Sequence, residues 1–172
     1  MRALVVYESM FGNTELVARQ VADGLAGYAQ VELREVSEAP AQPDEQLDLV
    51  VLGGPTHAFS MSRESTREDA RRQGATHGEV YTGLREWLDG LPSGSHHPMV
   101  AAFDTRVTKV RRIPGSAARR ATKVAGHLGY RVAEKPESFF VEDTDGPLAQ
   151  GELERARAWG DLVGAHLAAR PN

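Results

Sequence analysis

Several kinds of residue are scarce or absent in this sequence of 172 residues. It has no cysteine, which excludes disulfide bonds, thiolate nucleophiles and cysteine-ligated metals, so any redox chemistry needs a bound cofactor. Aromatic residues make up only 6% of the chain, and no apolar run approaches the roughly 20 residues that span a bilayer. We therefore expect a cytoplasmic protein that is not inserted into a membrane.

The charge balance is mildly acidic, with a net charge of −4 from 20 basic and 24 acidic residues. This balance argues against general nucleic-acid binding. With 41% hydrophobic residues, the chain is long enough to form one well-buried core but short for two domains. We expect a single domain over residues 1–172.

The hydrophobic pattern alternates between strands and helices along the chain. The runs 2–7 and 48–53 are continuously apolar, which predicts central parallel strands covered on both faces. The further predicted strands are 31–36, 98–103 and 138–142, and the helices are 15–25, 83–91, 116–128 and 152–169. Right-handed crossovers leave few topologies, and we favour a three-layer α/β/α sandwich with a five-stranded parallel sheet of order 2-1-3-4-5.

The most informative segment follows the first predicted strand. It contains Ser9, Met10, Phe11, Gly12, Asn13 and Thr14. Unpaired N–H groups where a helix begins attract phosphate, and Ser9, Asn13 and Thr14 add polar side chains. The sequence matches neither a nucleoside-triphosphate P-loop nor a dinucleotide-binding loop, so a single terminal phosphate fits better. The alternative is an ordinary capped helix after a buried strand.

This segment resembles the phosphate loop of flavodoxins, which holds the ribityl phosphate of FMN. A second segment follows the third predicted strand and must emerge at the same sheet edge; it contains Pro55, Thr56, His57, Ala58 and Phe59. It resembles the second FMN loop of that family, where backbone and threonine contact the flavin and an aromatic ring stacks on it. The alternative is a tight turn out of a buried strand. The resemblance implies a flavodoxin-like fold, FMN as cofactor, and transfer of one or two electrons.

A third segment, Asp104, Thr105 and Arg106, follows the fourth predicted strand, where flavodoxins close the other side of the flavin, often with a tyrosine. No aromatic residue stands there, so stacking of about 0.5–1.5 kcal/mol is expected to be missing and FMN binding to be weaker. Phe59 is the substitute on the neighbouring loop. We interpret His57 as a solvated loop residue rather than a proton donor.

Two further segments depart from the family's pattern. Residues 61–82 are longer than needed; a capping box at Ser65 and Glu68 and a stop at Gly74 predict a short extra helix with solvated arginines. Residues 104–123 carry seven basic residues against one acid: Arg106, Lys109, Arg111, Arg112, Arg119, Arg120 and Lys123. Flavodoxins typically surround the flavin with acidic residues. This basic rim, the segment 104–123, has the opposite charge and indicates an anionic partner.

Three functions remain open at this stage. The resemblance favours electron transfer with a redox partner protein or a small electron donor or acceptor. The basic rim and the extra segment favour an NAD(P)H:quinone or protoporphyrinogen-type oxidoreductase. The missing aromatic favours a binding or regulatory module that has lost the flavin.

Overall fold

The computed structural model describes residues 1–94 and 98–169, which form a parallel sheet between two layers of helices. The strands are β1 (Arg2–Tyr7), β2 (Gln30–Glu35), β3 (Leu49–His57), β4 (Ser60–Met61), β5 (Met99–Val107) and β6 (Glu137–Val141). The helices are α1 (Asn13–Leu25), α2 (Glu64–Arg72), α3 (Leu84–Asp89), α4 (Ala117–His127) and α5 (Glu152–Ala168). Over these residues, no helix is both long and apolar enough to cross a membrane.

The sheet has the order β2-β1-β3-β5-β6, and its neighbouring strands are parallel. The predicted order of five strands is therefore confirmed, as is the three-layer sandwich. The addition is β4, which pairs antiparallel with the end of β3 in a short hairpin, Thr56 opposite Met61. This order places the carboxyl ends of β1 and β3 side by side at the point where the chain reverses direction across the sheet.

The core lies on both faces of the sheet. Alternate residues of β1 face opposite layers: Val5 packs with α1 and α5, whereas Leu4 and Val6 pack with α3 and α4. Because both faces are covered, the central strands contain apolar residues without interruption. Gly53 is needed at the centre, since a Cβ there would lie 2.2 Å from the ring of Phe103.

Strands β3 and β5 run further than the sequence predicts. The pairing continues through Gly54 opposite Asp104 and Pro55 opposite Thr105. The prediction that Asp104, Thr105 and Arg106 form a loop is therefore wrong, because all three lie within β5. Their polar side chains are buried and each makes a hydrogen bond outside the strand, so the strand does not need apolar residues there.

The extra helix predicted within residues 61–82 is present as α2, and Gly74 follows it with a left-handed φ of +96°. The predicted capping box is wrong. Arg63 is the N-cap, and its N–H donates to Thr66 Oγ1 at 2.9 Å, whereas Ser65 lies inside the helix. Thr66 thus makes the reciprocal bond that we assigned to Glu68.

Candidate functional site

The loop between β1 and α1 forms a cluster of backbone donors. Gly12 has φ +87°, a conformation that favours glycine, and is the N-cap of α1. In the described part of the chain, the N–H groups of Phe11, Gly12, Asn13 and Thr14 have no hydrogen-bond partner. The next N–H, that of Glu15, donates to Ser9 Oγ at 3.3 Å. Four free donors at a helix N-terminus suit an anion such as phosphate.

Ten of the predicted site residues line one cavity at this sheet edge: Ser9, Met10, Phe11, Asn13, Thr14, Pro55, Thr56, His57, Thr105 and Arg106. Its volume is about 70 Å³, so a ligand larger than a phosphate group must extend beyond it or separate the loops. Val107, Val141 and Thr144 also line it and were not predicted. Because β6 neighbours β5, the end of β6 reaches the same edge of the sheet. The predicted strand order therefore already indicated that residues near the end of this strand approach the cavity.

The threonine hydroxyls of this cavity are already engaged within the protein. Thr14 Oγ1 and Thr105 Oγ1 lie 2.7 Å apart, and Thr56 Oγ1 accepts a hydrogen bond from the N–H of Ala117 at 2.9 Å. A hydroxyl can donate one hydrogen while accepting others. The Thr14–Thr105 pair therefore retains one hydrogen for a ligand, and Thr56 retains another.

Gly12, Ala58, Phe59 and Asp104 were predicted as site residues but do not line the cavity. Ala58 and Phe59 form the hairpin turn between β3 and β4, with φ values of +47° and +62°. The Phe59 side chain is 46% exposed. It is therefore accessible from solvent.

Asp104 points away from the cavity, towards the start of α4. Its Oδ2 accepts a hydrogen bond from the N–H of Ala118 at 2.9 Å. Burial raises the pKa of Asp104, and hydrogen bonds from the Ser116 hydroxyl and the Ala118 N–H partly oppose that rise. Its role in the structure is to accept a hydrogen bond from the first turn of α4, beside the N-cap residue Ser116.

His57 ends β3 in the wall of the cavity, and our interpretation of it as a solvated residue is wrong. Burial, with a smaller effect from the charge of Arg67, lowers the pKa of His57 to about 4. Its Nδ1 lies 3.1 Å from Thr66 Oγ1, which itself donates to Arg63 O. With that donor engaged, we assign the proton of the neutral ring to Nδ1, leaving a lone pair on Nε2. His57 is an uncharged acceptor at neutral pH.

Arg67 of α2 is fully buried, so the prediction that this helix carries only solvated arginines is wrong. Its guanidinium donates to Ser62 Oγ at 2.7 Å, to Glu86 Oε2 at 2.9 Å and to Val80 O at 2.6 Å. The side chain thereby joins β4, α2 and α3 behind His57. Such a buried cation is stable only with this complete set of partners.

Glu8 directly precedes the phosphate loop and is only 1% exposed. Its Oε2 accepts a hydrogen bond from the N–H of Leu84 at 2.8 Å, which caps α3. Burial raises the pKa of Glu8, against the lowering effects of Ser62, of the Leu84 N–H and of the charge of Arg67. Sequence reasoning missed this residue because its partners lie more than 50 positions away.

His77 lies against the phosphate loop and was also missed. Its N–H donates to Met10 O at 3.1 Å, and a Cβ on Gly12 would lie 3.4 Å from its ring. The signal for this contact was the unexplained length of residues 61–82, which fold back over the loop.

Comparison with known proteins agrees with this architecture. A flavodoxin from the domain Archaea superposes with a TM-score of 0.66 at 17% identity, covering 98% of this chain and 99% of that one. Oxidised Flavodoxin 2 from Bacillus cereus gives 0.67 at 19% identity, covering 96% and 98%. Rubredoxin oxygen:oxidoreductase from Desulfovibrio gigas gives 0.61 at 14% identity, covering 98% of this chain but 36% of that one. At these identities the likeness shows the fold alone.

Sequence comparison gives the family directly. No curated protein sequence matches the chain. The family model for flavodoxin, however, matches residues 5–132, which include the phosphate loop, all but two of the residues that line the cavity, and the basic segment 104–123. The chain belongs to the flavodoxin family.

Proposed function

We propose that this protein binds FMN and acts as an electron-transfer protein. The observation that carries the proposal is the set of four unpaired N–H groups from Phe11 to Thr14, at the mouth of a cavity between the ends of β1, β3 and β5. One terminal phosphate matches that donor set, and FMN carries one. When bound, FMN supplies the electron chemistry, and the chain's residues bind, orient and tune it.

Each group has a distinct part in this proposal. The backbone of the phosphate loop and the Ser9 hydroxyl bind the phosphate. The remaining hydroxyl hydrogens of Thr56 and of the Thr14–Thr105 pair orient polar atoms of the ligand. His57, held neutral, offers Nε2 as an acceptor in the cavity wall. A purified protein with no flavin absorbance, and with none after incubation with FMN, would overturn this function in favour of a flavin-free module.

Replacing Ser9 by alanine should weaken FMN binding about tenfold to a hundredfold and leave riboflavin binding almost unchanged. Ser9 Oγ accepts the Glu15 N–H, so its own hydrogen is free for the phosphate, and losing a hydrogen bond to a charged group costs about 1.5–3 kcal/mol. Fluorescence titration with both flavins measures the difference. Ser116→Ala is the matched control, because Ser116 caps α4 at the same 3.3 Å. Equal loss for both flavins contradicts the phosphate assignment.

Replacing Arg106 by glutamine should lower the reduction potential of the bound flavin. Arg106 lines the cavity, and its positive charge stabilises a flavin that has gained electrons. For two unit charges about 4 Å apart at an effective dielectric of about 20, this effect is about 4 kcal/mol. Redox titration of the two proteins tests the sign. Arg120→Gln removes the same charge outside the cavity and should change the potential less. An Arg106→Gln potential equal to or above that of the wild type means that this charge does not reach the flavin.

One observation supports the oxidoreductase alternative: a cavity of about 640 Å³ whose lining includes Arg106, Arg111 and Arg119 has room for a small anionic substrate. Steady-state oxidation of NADPH with a quinone by the FMN-loaded protein tests it. Turnover above that of free FMN would favour an enzyme over a carrier of electrons between proteins.

A further inference from the structure

A second cavity of about 640 Å³ lies beside the first. It opens between β6 and the N-terminal ends of α4 and α5, and we call it the basic cleft; its lining includes Arg106, Arg111, Arg119, Phe140 and Arg155. Its volume is within the range of about 300–1,000 Å³ typical of small-molecule sites. Arg106 lines both cavities, so the two are direct neighbours.

The basic cleft has positive charge in excess. Two glutamates line it, Glu137 and Glu152, and Arg155 pairs with both at 2.5 Å. For Arg106, Arg111 and Arg119, no carboxylate of the described residues lies within ion-pair distance. The four arginines and two glutamates of the lining leave a net charge of +2. The excess positive charges repel one another, and an anion bound between them relieves that repulsion.

Two of these cations are held in place by the fold. Arg106 is only 7% exposed; its Nη2 donates to Val110 O at 2.6 Å and to Ile113 O at 2.9 Å. The buried Arg106 Nε has no hydrogen-bond partner in the parts of the chain that the structure covers. The Arg111 guanidinium lies 4.9 Å from the centroid of the Phe140 ring. Because these side chains are already held in place, they lose less conformational entropy when a ligand binds.

We propose that the basic cleft binds a small organic anion carrying phosphate or carboxylate groups and holds it next to the FMN site, with Arg106 as the shared wall. The adjacency to FMN rests on the proposed function. Anion binding itself does not, because none of its residues belongs to the phosphate loop.

The test is a titration of FMN-saturated protein with inorganic pyrophosphate, and separately with succinate, followed by NMR of the arginine Nε–H signals. Bound FMN occupies the phosphate loop, so that loop does not compete with the basic cleft for the added anion. We expect saturable shifts of the signals of Arg106, Arg111 and Arg119 with at least one probe. Pyrophosphate alone would identify a phosphate ligand, and succinate alone a carboxylate ligand. Saturable shifts with neither probe overturn the proposal.

Matched double variants separate the cleft from overall charge. Arg111→Gln/Arg119→Gln should weaken binding about tenfold or more. Arg112→Gln/Arg120→Gln removes the same charge from adjacent positions outside the cleft and should change the anion affinity less than twofold. Equal weakening in both overturns a specific site. If the protein takes up no FMN, the same titration is carried out on the Ser9→Ala protein, whose phosphate loop is impaired. It still tests whether the basic cleft binds anions, so failure of this proposal and failure of FMN binding can be distinguished.

Discussion

Replacing Arg67 by methionine is expected to lower the free energy of unfolding by about 3–5 kcal/mol. The guanidinium is fully buried and binds Ser62, Val80 and Glu86. Methionine keeps an unbranched apolar chain in place of the aliphatic part of arginine, so the main losses are these hydrogen bonds and the positive charge beside the buried Glu8. Urea unfolding at pH 7, followed by circular dichroism, measures the change.

Arg72→Met is the matched control on the same helix. Its side chain is 67% exposed and pairs with Asp69, so the loss should stay below about 1 kcal/mol. A second comparison identifies the cause. If an uncompensated charge on Glu8 contributes to the loss, Glu8→Gln should destabilise the Arg67→Met protein less than it destabilises the wild type. Equal losses for Arg67→Met and Arg72→Met would show that Arg67 is not the buried centre of this cluster.

The elements that could be predicted from the sequence are those whose partners are generic. Val17 and Val21 need only an apolar sheet to pack against, and both are fully buried. The first N–H groups of a helix have no partner within that helix, so the start of α1 after Gly12 provides donors without help from distant residues. The same holds for the sheet order, because covered parallel strands and right-handed crossovers allow few arrangements.

The predictions that failed depend on particular hydrogen-bond partners. Asp104 and Arg106 follow the apolar run of their strand in the sequence, yet both lie within β5. There Asp104 accepts a hydrogen bond from the start of α4, and Arg106 donates to the carbonyls of Val110 and Ile113. Arg67 looks like one member of a solvated helix until residues 78–86 fold over it. Local spacing contains no information on such contacts, and His57 was misread for the same reason.

The contribution of His57 to the stability of the folded protein should decrease as the pH falls from 7.5 to 4.5. Its pKa is about 4 in the folded protein, against the ordinary value of 6.5 that applies when the chain is unfolded. Stability from the neutral ring is therefore complete above pH 6.5 and is lost as the pH falls towards 4, because the unfolded chain takes up a proton first. At 1.36 kcal/mol per pH unit, the loss is about 2–3 kcal/mol over this window.

The His57→Gln protein should lack this part of the pH dependence, so its free energy of unfolding should change less between pH 7.5 and 4.5. Glu8 and Asp104 act in the opposite direction, because their raised pKa values favour the folded state at lower pH, but both are present in the two proteins and cancel in the difference. His127→Gln, at the exposed end of α4, should follow the wild type. An NMR titration gives the direct check: a His57 midpoint near 6.5 in the folded protein would mean that burial does not hold this ring neutral, and that the cavity wall carries a charge when the pH is mildly acidic.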